Sequence, residues 1–244
     1  MNHPDGKRLL ARVRGQDFAH AGEEEAIFLT WEKLPRNPLQ FCLDAGCGRG
    51  GIAAAVQSQR WGQVTGVDID EASIAAAQIS YPEVTFQAAD IAGVGEILPD
   101  TFDIIYALNA FYAFPDQASA LRSLRKASKA GGRLAIFDYV DLGDFRKSEF
   151  FQKSETHLWQ PLVMDQFPGL LDKAGWRTTA CREIHEDYRR WYASLVEKFD
   201  RLREALAREF PEELVEYAAD YYRLLLKAVE HGELGGAIVY ADAA

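Results

Sequence analysis

The stretch LDAGCGRGG, residues 43–51, constrains the fold of this chain more than any other. An apolar run ends in an acid and a set of glycines, and an Ala-rich helical pattern follows. A strand that meets a helix through glycines brings bare backbone to a ligand, because Gly46 and Gly48 remove the Cβ atoms that block the approach. The helix N-terminus beyond them offers unpaired N–H groups. Two templates fit the glycines. Gly46, Gly48 and Gly51 match the G-x-G-x-x-G fingerprint of a nicotinamide-dependent dehydrogenase. Asp44, Gly46, Gly48 and Gly50 match a different loop, one preceded by an acid. In the first template the loop holds a pyrophosphate at the positive end of the helix. The Asp44 carboxylate opposes an anion there and suits a cation or an ammonium group, held through water.

The rest of the chain sets this loop in an α/β fold. Apolar runs at 39–46, 62–69, 82–90, 101–111 and 132–140 alternate with helical patterns at 50–59, 71–80 and 116–132. The last helix is stopped by Gly131 and Gly132. This alternation predicts a mostly parallel sheet with helices on both faces. Continuous apolar runs predict strands buried on both sides. A helix at 161–175, kinked or split at the internal Pro168, comes next. A sixth strand at 176–184 and a last strand at 234–242 complete the sheet. Between them lie two long helical patterns, 187–209 and 211–231, broken at Pro211. Tyr188, Trp191, Tyr192, Leu195, Val196, Phe199, Leu202 and Leu206 repeat at the spacing of one helix face. The chain therefore divides into an N-terminal helical segment, 1–38, a core of 39–184 and 232–244, and a helical insertion, 185–231.

Composition excludes several classes. The formal net charge of −10 and the lack of a Lys/Arg run argue against nucleic-acid binding, which phosphate neutralisation drives. No apolar run approaches the roughly 18 residues of a membrane span, and the start of the chain lacks the apolar region of a secretory signal. Cys42, Cys47 and Cys181 have no paired spacing, so neither a disulfide framework nor a zinc site is expected. The expected setting is reducing and cytoplasmic.

Two more acids stand at strand ends, where open α/β sheets bind ligands. Asp68 lies about 20 residues past the glycines, where an acid accepts from ribose hydroxyls. Asp90, in QAADI, can accept from an exocyclic adenine amine while the Ile91 N–H donates to a ring nitrogen. Ile69 and Ile91 can flank the ring.

Together LDAGCGRG, VTGVDID, FQAADI, FDIIYALNAFYAFPD and LRKASKAGGRLAIFDY resemble the class I S-adenosylmethionine-dependent methyltransferases, small-molecule type. The resemblance covers residues 40–140 and implies a Rossmann-like seven-stranded sheet whose last strand is inserted antiparallel. It implies that Asp44 orients the loop and meets the methionine amino group through water. Gly46, Cys47 and Gly48 would line methionine and ribose, Asp68 would bind ribose, and Asp90 the adenine amine. Leu108 and Asn109 would meet the methionine part.

The acceptor side is less legible. DFAHAG resembles the opening segment of small-molecule members, where the N-terminal region closes over the cofactor. Phe18 and His20 would then face the methyl donor. Tyr112 is the better placed candidate for catalysis. Relatives often carry a His one place later, where this chain has Ala113. Tyr139, His157 and Trp159 follow the fifth strand as pocket candidates. Tyr188, Trp191 and Tyr192, with Tyr221 and Tyr222, make the helical insertion aromatic, as a cap holding a methylated ammonium by cation–π attraction requires. The expected reaction is methyl transfer to a small-molecule amine, with oxygen or carbon acceptors as alternatives. A non-catalytic cofactor-binding module and a dehydrogenase are the other readings. Oligomeric state, monomer or homodimer, is left open.

Overall fold

The computed structural model describes residues 4–18, 20, 22–153 and 159–244. The strands are β1 (Phe41–Ala45), β2 (Gln63–Asp68), β3 (Thr85–Ala88), β4 (Phe102–Leu108), β5 (Ser128–Asp141), β6 (Trp176–Glu183) and β7 (Leu234–Ala243). They form one sheet in the order β3-β2-β1-β4-β5-β7-β6. All pairs from β3 to β5 are parallel, and β7 runs antiparallel to both β5 and β6. The expected Rossmann-like sheet with an inverted last strand is what the chain forms.

The helices are α1 (Pro4–Arg14), α2 (Glu23–Thr30), α3 (Gly51–Ser58), α4 (Glu71–Ser80), α5 (Val94–Ile97), α6 (Gln117–Ala127), α7 (Glu149–Lys153), α8 (Phe167–Lys173), α9 (His185–Glu209) and α10 (Glu212–Glu230). Side chains of a strand alternate between faces, and β4 shows the result. Ile104, Tyr106 and Leu108 enter one core layer with Trp31, Val56, Phe137 and Tyr188, beneath α1 to α4, α9 and α10. Ile105 and Ala107 enter the other, with Leu121, Leu124, Leu171 and Trp176, beneath α5, α6 and α8. The Trp176 indole N–H donates to the Leu121 carbonyl at 3.0 Å, tying β6 to α6.

Three local expectations are corrected. Pro168 does not kink a helix; it lies in the first turn of α8, where its missing N–H is needed by no carbonyl. Before it, Leu162 makes a strand-like bridge to Val140 and residues 164–166 form a turn. Helix α6 ends at Ala127, short of the two glycines, because Ser128 already pairs with Phe102 of β4. The N-terminal segment, read from sequence only as helical over 1–38, divides into two helices, α1 and α2. Leu9, Leu10 and Val13 bury one face of α1, and Arg12 fastens it to α9 through a two-pronged bond to Glu209 at 2.9 and 2.8 Å. Among the described residues, no helix is long and apolar enough to cross a membrane.

Candidate active site

The site gathers at the C-terminal ends of β1, β2, β4 and β5. The glycine loop leaves β1 and is pinned at once to β2, since the N–H groups of Gly46 and Cys47 donate to the Val67 carbonyl at 2.8 and 3.0 Å. Gly46 and Gly48 both take left-handed backbone, φ +82° and +52°. Their surroundings differ. A Cβ on Gly46 would sit 2.5 Å from the Ala110 Cβ, whereas one on Gly48 would meet no atom within 4 Å. Gly46 is therefore required by packing, and Gly48 leaves backbone bare toward open space.

Asp68 closes the loop from the next strand. One carboxylate oxygen accepts from Gly48 N–H at 2.8 Å and the other from Asp70 N–H at 2.9 Å. Asp70 caps α4 and binds Lys7 of α1 at 2.6 Å, which holds the Asp70 carboxyl down at about 2. The Ala89 N–H donates to the Asp68 carbonyl at 3.0 Å, so the end of β3 follows beside it. Asp90 is exposed there and accepts from Ala92 N–H at 2.9 Å. Ile69 is 70% exposed, while Ile91 is buried beneath the α5–α6 face.

Asp44 is the least satisfied group of the set. It is 1% exposed, and its carboxyl lies beside the Tyr106 hydroxyl and the Ala53 backbone without a well-formed hydrogen bond among the described residues. Burial, then the Asp68 charge, lifts its carboxyl well above the usual range. The Tyr106 hydroxyl beside it is equally buried and unpartnered. Cys47 is a buried filler whose thiol is pushed up by burial and the two nearby aspartates, so it stays protonated.

A cavity of about 110 Å³ opens next to Gly48. Phe18, Asn109, Tyr112, Tyr139 and Trp159 line it, as do Tyr221 and Tyr222 of α10. The Tyr112 and Trp159 rings lie 4.3 Å apart and Tyr139 stands edge-on to Tyr112 at 5.0 Å. Tyr188 and Tyr192 stand behind this wall. Tyr188 shares bonds of 2.9 and 3.2 Å with the Asn109 amide, and Tyr192 binds the Tyr139 hydroxyl. Trp191 sits elsewhere, against α2, donating to Glu25 at 2.7 Å. His157 lies outside the described residues.

The electrostatics of the candidate catalytic groups are distinctive. Burial first, then the Asp138 charge, pushes the Tyr112 phenol well above its ordinary value, so it is neutral at pH 7. His20 is buried between Phe18 and Phe137, with ring centroids at 5.9 and 5.7 Å. Neither of its nitrogens has a partner, and burial with the Arg14 charge lowers it to about 3. It is a neutral, weakly basic imidazole that does not line the cavity. Asp138, fully buried at the end of β5, accepts from Tyr139 and Tyr112 N–H groups at 2.7 and 3.0 Å, and burial lifts it to about 7. It fixes the turn that carries Tyr112. Sequence reading missed Asp138, and also Lys7, Arg14, Asp17 and Arg49 of the cavity wall. The 3.6-residue spacing of Leu9, Leu10 and Val13 in KRLLARVR was the available signal for the helix that carries two of them.

An unpaired acid ahead of a glycine loop, an acid on the next strand closing that loop and a third after β3 define a Rossmann-like site of the class I methyltransferase kind. The chain belongs to a methyltransferase-domain family, which it matches over residues 40–198. Its curated relatives include the ubiquinone biosynthesis O-methyltransferase of Pseudomonas entomophila (strain L48), 34% identical over 96 residues, which are 38% of this chain and 41% of that protein. The chain thus spans about two fifths of the length of the curated relatives it matches. Among solved structures, phosphoethanolamine N-methyltransferase 2 of Haemonchus contortus superposes with a TM-score of 0.86 at 18% identity, covering 98% of this chain and 57% of that one. That structure holds phosphomonomethylethanolamine and S-adenosylhomocysteine. A sarcosine dimethylglycine methyltransferase described from Galdieria sulphuraria superposes at 0.82 with 14% identity, covering 98% of both chains. The fold is that of the S-adenosylmethionine-dependent class. The chain's own features fit that cofactor: Gly48 offers open backbone at the end of β1, and the Asp44 carboxyl buried just before it makes no ion pair among the described residues.

Proposed function

We propose that this protein transfers a methyl group from S-adenosylmethionine to the nitrogen of a small molecule held in the aromatic cavity. Asp44 and the backbone of Gly46, Cys47 and Gly48 would seat the methionine end, with Asn109 contributing backbone because its amide is engaged by Tyr188. Asp68 would take the ribose, and Asp90 with Ile69 and Ile91 the adenine. Helix α1 would close over this seat through Lys7, and α9 with α10 would cap the acceptor. S-adenosylmethionine supplies an already activated methyl carbon when bound, so placement contributes most of the acceleration.

The observation that carries the nitrogen reading is the state of the cavity walls. Tyr112, Tyr139 and Tyr221 are held as neutral phenols by burial, the Asp17 carboxylate in the wall is engaged by Arg49 at 2.7 Å, and His20, outside the cavity, is too weak a base to accept a proton. A hydroxyl acceptor needs a base to take its proton as it reacts. A neutral amine needs none, and aromatic faces attract the ammonium it becomes. The O-methyltransferase name of the curated relatives favours an oxygen acceptor as the second reading.

Calorimetry with S-adenosylhomocysteine and with NAD comes first, and binding of NAD alone would end the proposal. Labelled methyl donor offered with matched amines and phenols then separates the acceptors. Label is expected on amines. Label confined to phenols would move the assignment to oxygen.

A further inference from the structure

Three cations and one acid line the cavity: Lys7, Arg14, Arg49 and Asp17. Two of the cations are satisfied. Lys7 lies 2.6 Å from Asp70, and Arg49 lies 2.7 Å from Asp17. Arg14 is different. It is 7% exposed, one guanidinium nitrogen donates to the Phe18 carbonyl at 2.8 Å, the Tyr222 hydroxyl lies beside the guanidinium, and its Nε has no partner among the described residues. It makes no ion pair with a carboxylate among the described residues. A guanidinium offers five N–H donors in one plane, and removing it from water without an anion is strongly unfavourable. The protein accepts that penalty on the wall of a cavity.

We infer that Arg14 is the seat for an oxyanion group, a carboxylate or a phosphate, carried by the methyl acceptor. The inference rests on the cavity being the acceptor site. Position separates acceptor from cofactor here. Arg14 is held to the carbonyl of Phe18, whose residue lines the cavity with the Tyr and Trp rings. Lys7 is held instead to Asp70 and Ser73 at 2.6 and 2.8 Å, next to the Asp68 that closes the glycine loop. Arg14 therefore stands on the aromatic side and Lys7 on the glycine-loop side. An acceptor that satisfies both the rings and the guanidinium carries an amine and an oxyanion: the amine enters neutral, its proton already lost to solvent, and becomes an ammonium against the Tyr and Trp faces on methylation, while the oxyanion lies in the planar fork of Arg14.

Trp159 in the cavity wall makes intrinsic fluorescence the readout. Sodium acetate and inorganic phosphate are each titrated into the protein at constant ionic strength, with and without saturating S-adenosylhomocysteine. At least one anion is expected to saturate the signal below about 100 mM, the weak end of specific binding. Arg14→Gln should weaken that binding by about tenfold or more, while S-adenosylhomocysteine affinity changes by less than about threefold. Arg14→Lys, which keeps the charge and loses the fork, should fall between. Response to acetate alone assigns a carboxylate, and response to phosphate alone a phosphate.

The inference is overturned if neither anion saturates, or if Arg14→Gln binds it as the parent does. It is also overturned if the loss falls on S-adenosylhomocysteine, which would give the guanidinium to the cofactor. If Arg14→Gln does not fold, Arg14→Lys decides, and unchanged anion affinity there counts against the seat. Anion binding without any S-adenosylhomocysteine binding would leave the seat standing and remove the methyltransferase reading.

Discussion

Replacing Asp68 with Ala tests the cofactor seat most directly, because the side chain has two duties. It shapes the loop, through the bonds to Gly48 and Asp70 at 2.8 and 2.9 Å, and it is the proposed partner of ribose hydroxyls. A hydrogen bond to a charged acceptor contributes about 1.5–3 kcal/mol net. The loss of one such bond to the ligand corresponds to roughly ten- to hundredfold in Kd. The bonds share one carboxylate, so their losses do not add. Freeing Gly48 N–H adds loop disorder that the ligand must reverse on binding, so Asp68→Ala is expected to fall in the upper part of that range. Asp68→Asn keeps one accepting oxygen and should lose about tenfold. The assay is calorimetric titration of S-adenosylhomocysteine, with a thermal melt of each variant to verify the fold. An Asp68→Ala affinity within about twofold of the parent would place the ribose elsewhere and refute the assignment of this strand end.

The two left-handed glycines should separate packing from ligand contact. Gly48→Ala costs about 1–2 kcal/mol of backbone strain, or roughly 2–8 °C of melting temperature in a chain of this size; its main effect should be a cofactor affinity reduced by about tenfold or more. Gly46→Ala adds the clash with Ala110 to the same strain, so it should melt lower than Gly48→Ala, and the reverse order would contradict the geometry. Asp138 gives a pH dependence. Its carboxyl rises from 3.8 to about 7 on folding, so its protonation favours the folded state, a contribution complete below pH 3.8 and lost as pH rises to about 7. Asp138→Asn removes this slope, so denaturant titrations should find the variant's deficit shrinking from pH 4 to about pH 7. A constant deficit would mean that Asp138 is ionised throughout.

The central sheet was legible because burial on both faces leaves continuous apolar runs, as in β4 and β7, and the half-exposed edge strands β3 and β6 also formed where the sequence placed them. The glycine loop was legible because left-handed backbone and close approach leave few residue choices, and Asp44 separated its two templates. Boundaries failed where tertiary pairing outweighed local signals, as when Ser128 joined β4 before the Gly131–Gly132 pair was reached. Pro168 was misread because a proline is ambiguous between a break and a first turn until the preceding residues are placed. Arg14 was illegible for a different reason. A basic residue on an amphipathic helix reads as solvated, and only the packing of α1 against the sheet shows that this one is buried.

That difference has a functional logic. The proposed cofactor contacts, from Asp44 to Asn109, fall within residues 40–198, the range shared with the methyltransferase-domain family. Lys7, Arg14, Phe18, Tyr221 and Tyr222 line the proposed acceptor cavity from outside that range. They are carried by α1, the loop after it and α10, none of which forms part of the sheet. A helix laid over a finished sheet can exchange Arg14 or Tyr222 without moving a strand, since the sheet's register depends on pairs such as Asp44 with Gly66 and with Tyr106. Acceptor chemistry can therefore diverge on these helices while the cofactor seat stays fixed. On the proposed reading, the substrate class of this chain is set by these covering segments together with Tyr112, Tyr139 and Trp159 of the core, where a buried guanidinium and neutral phenols line one cavity.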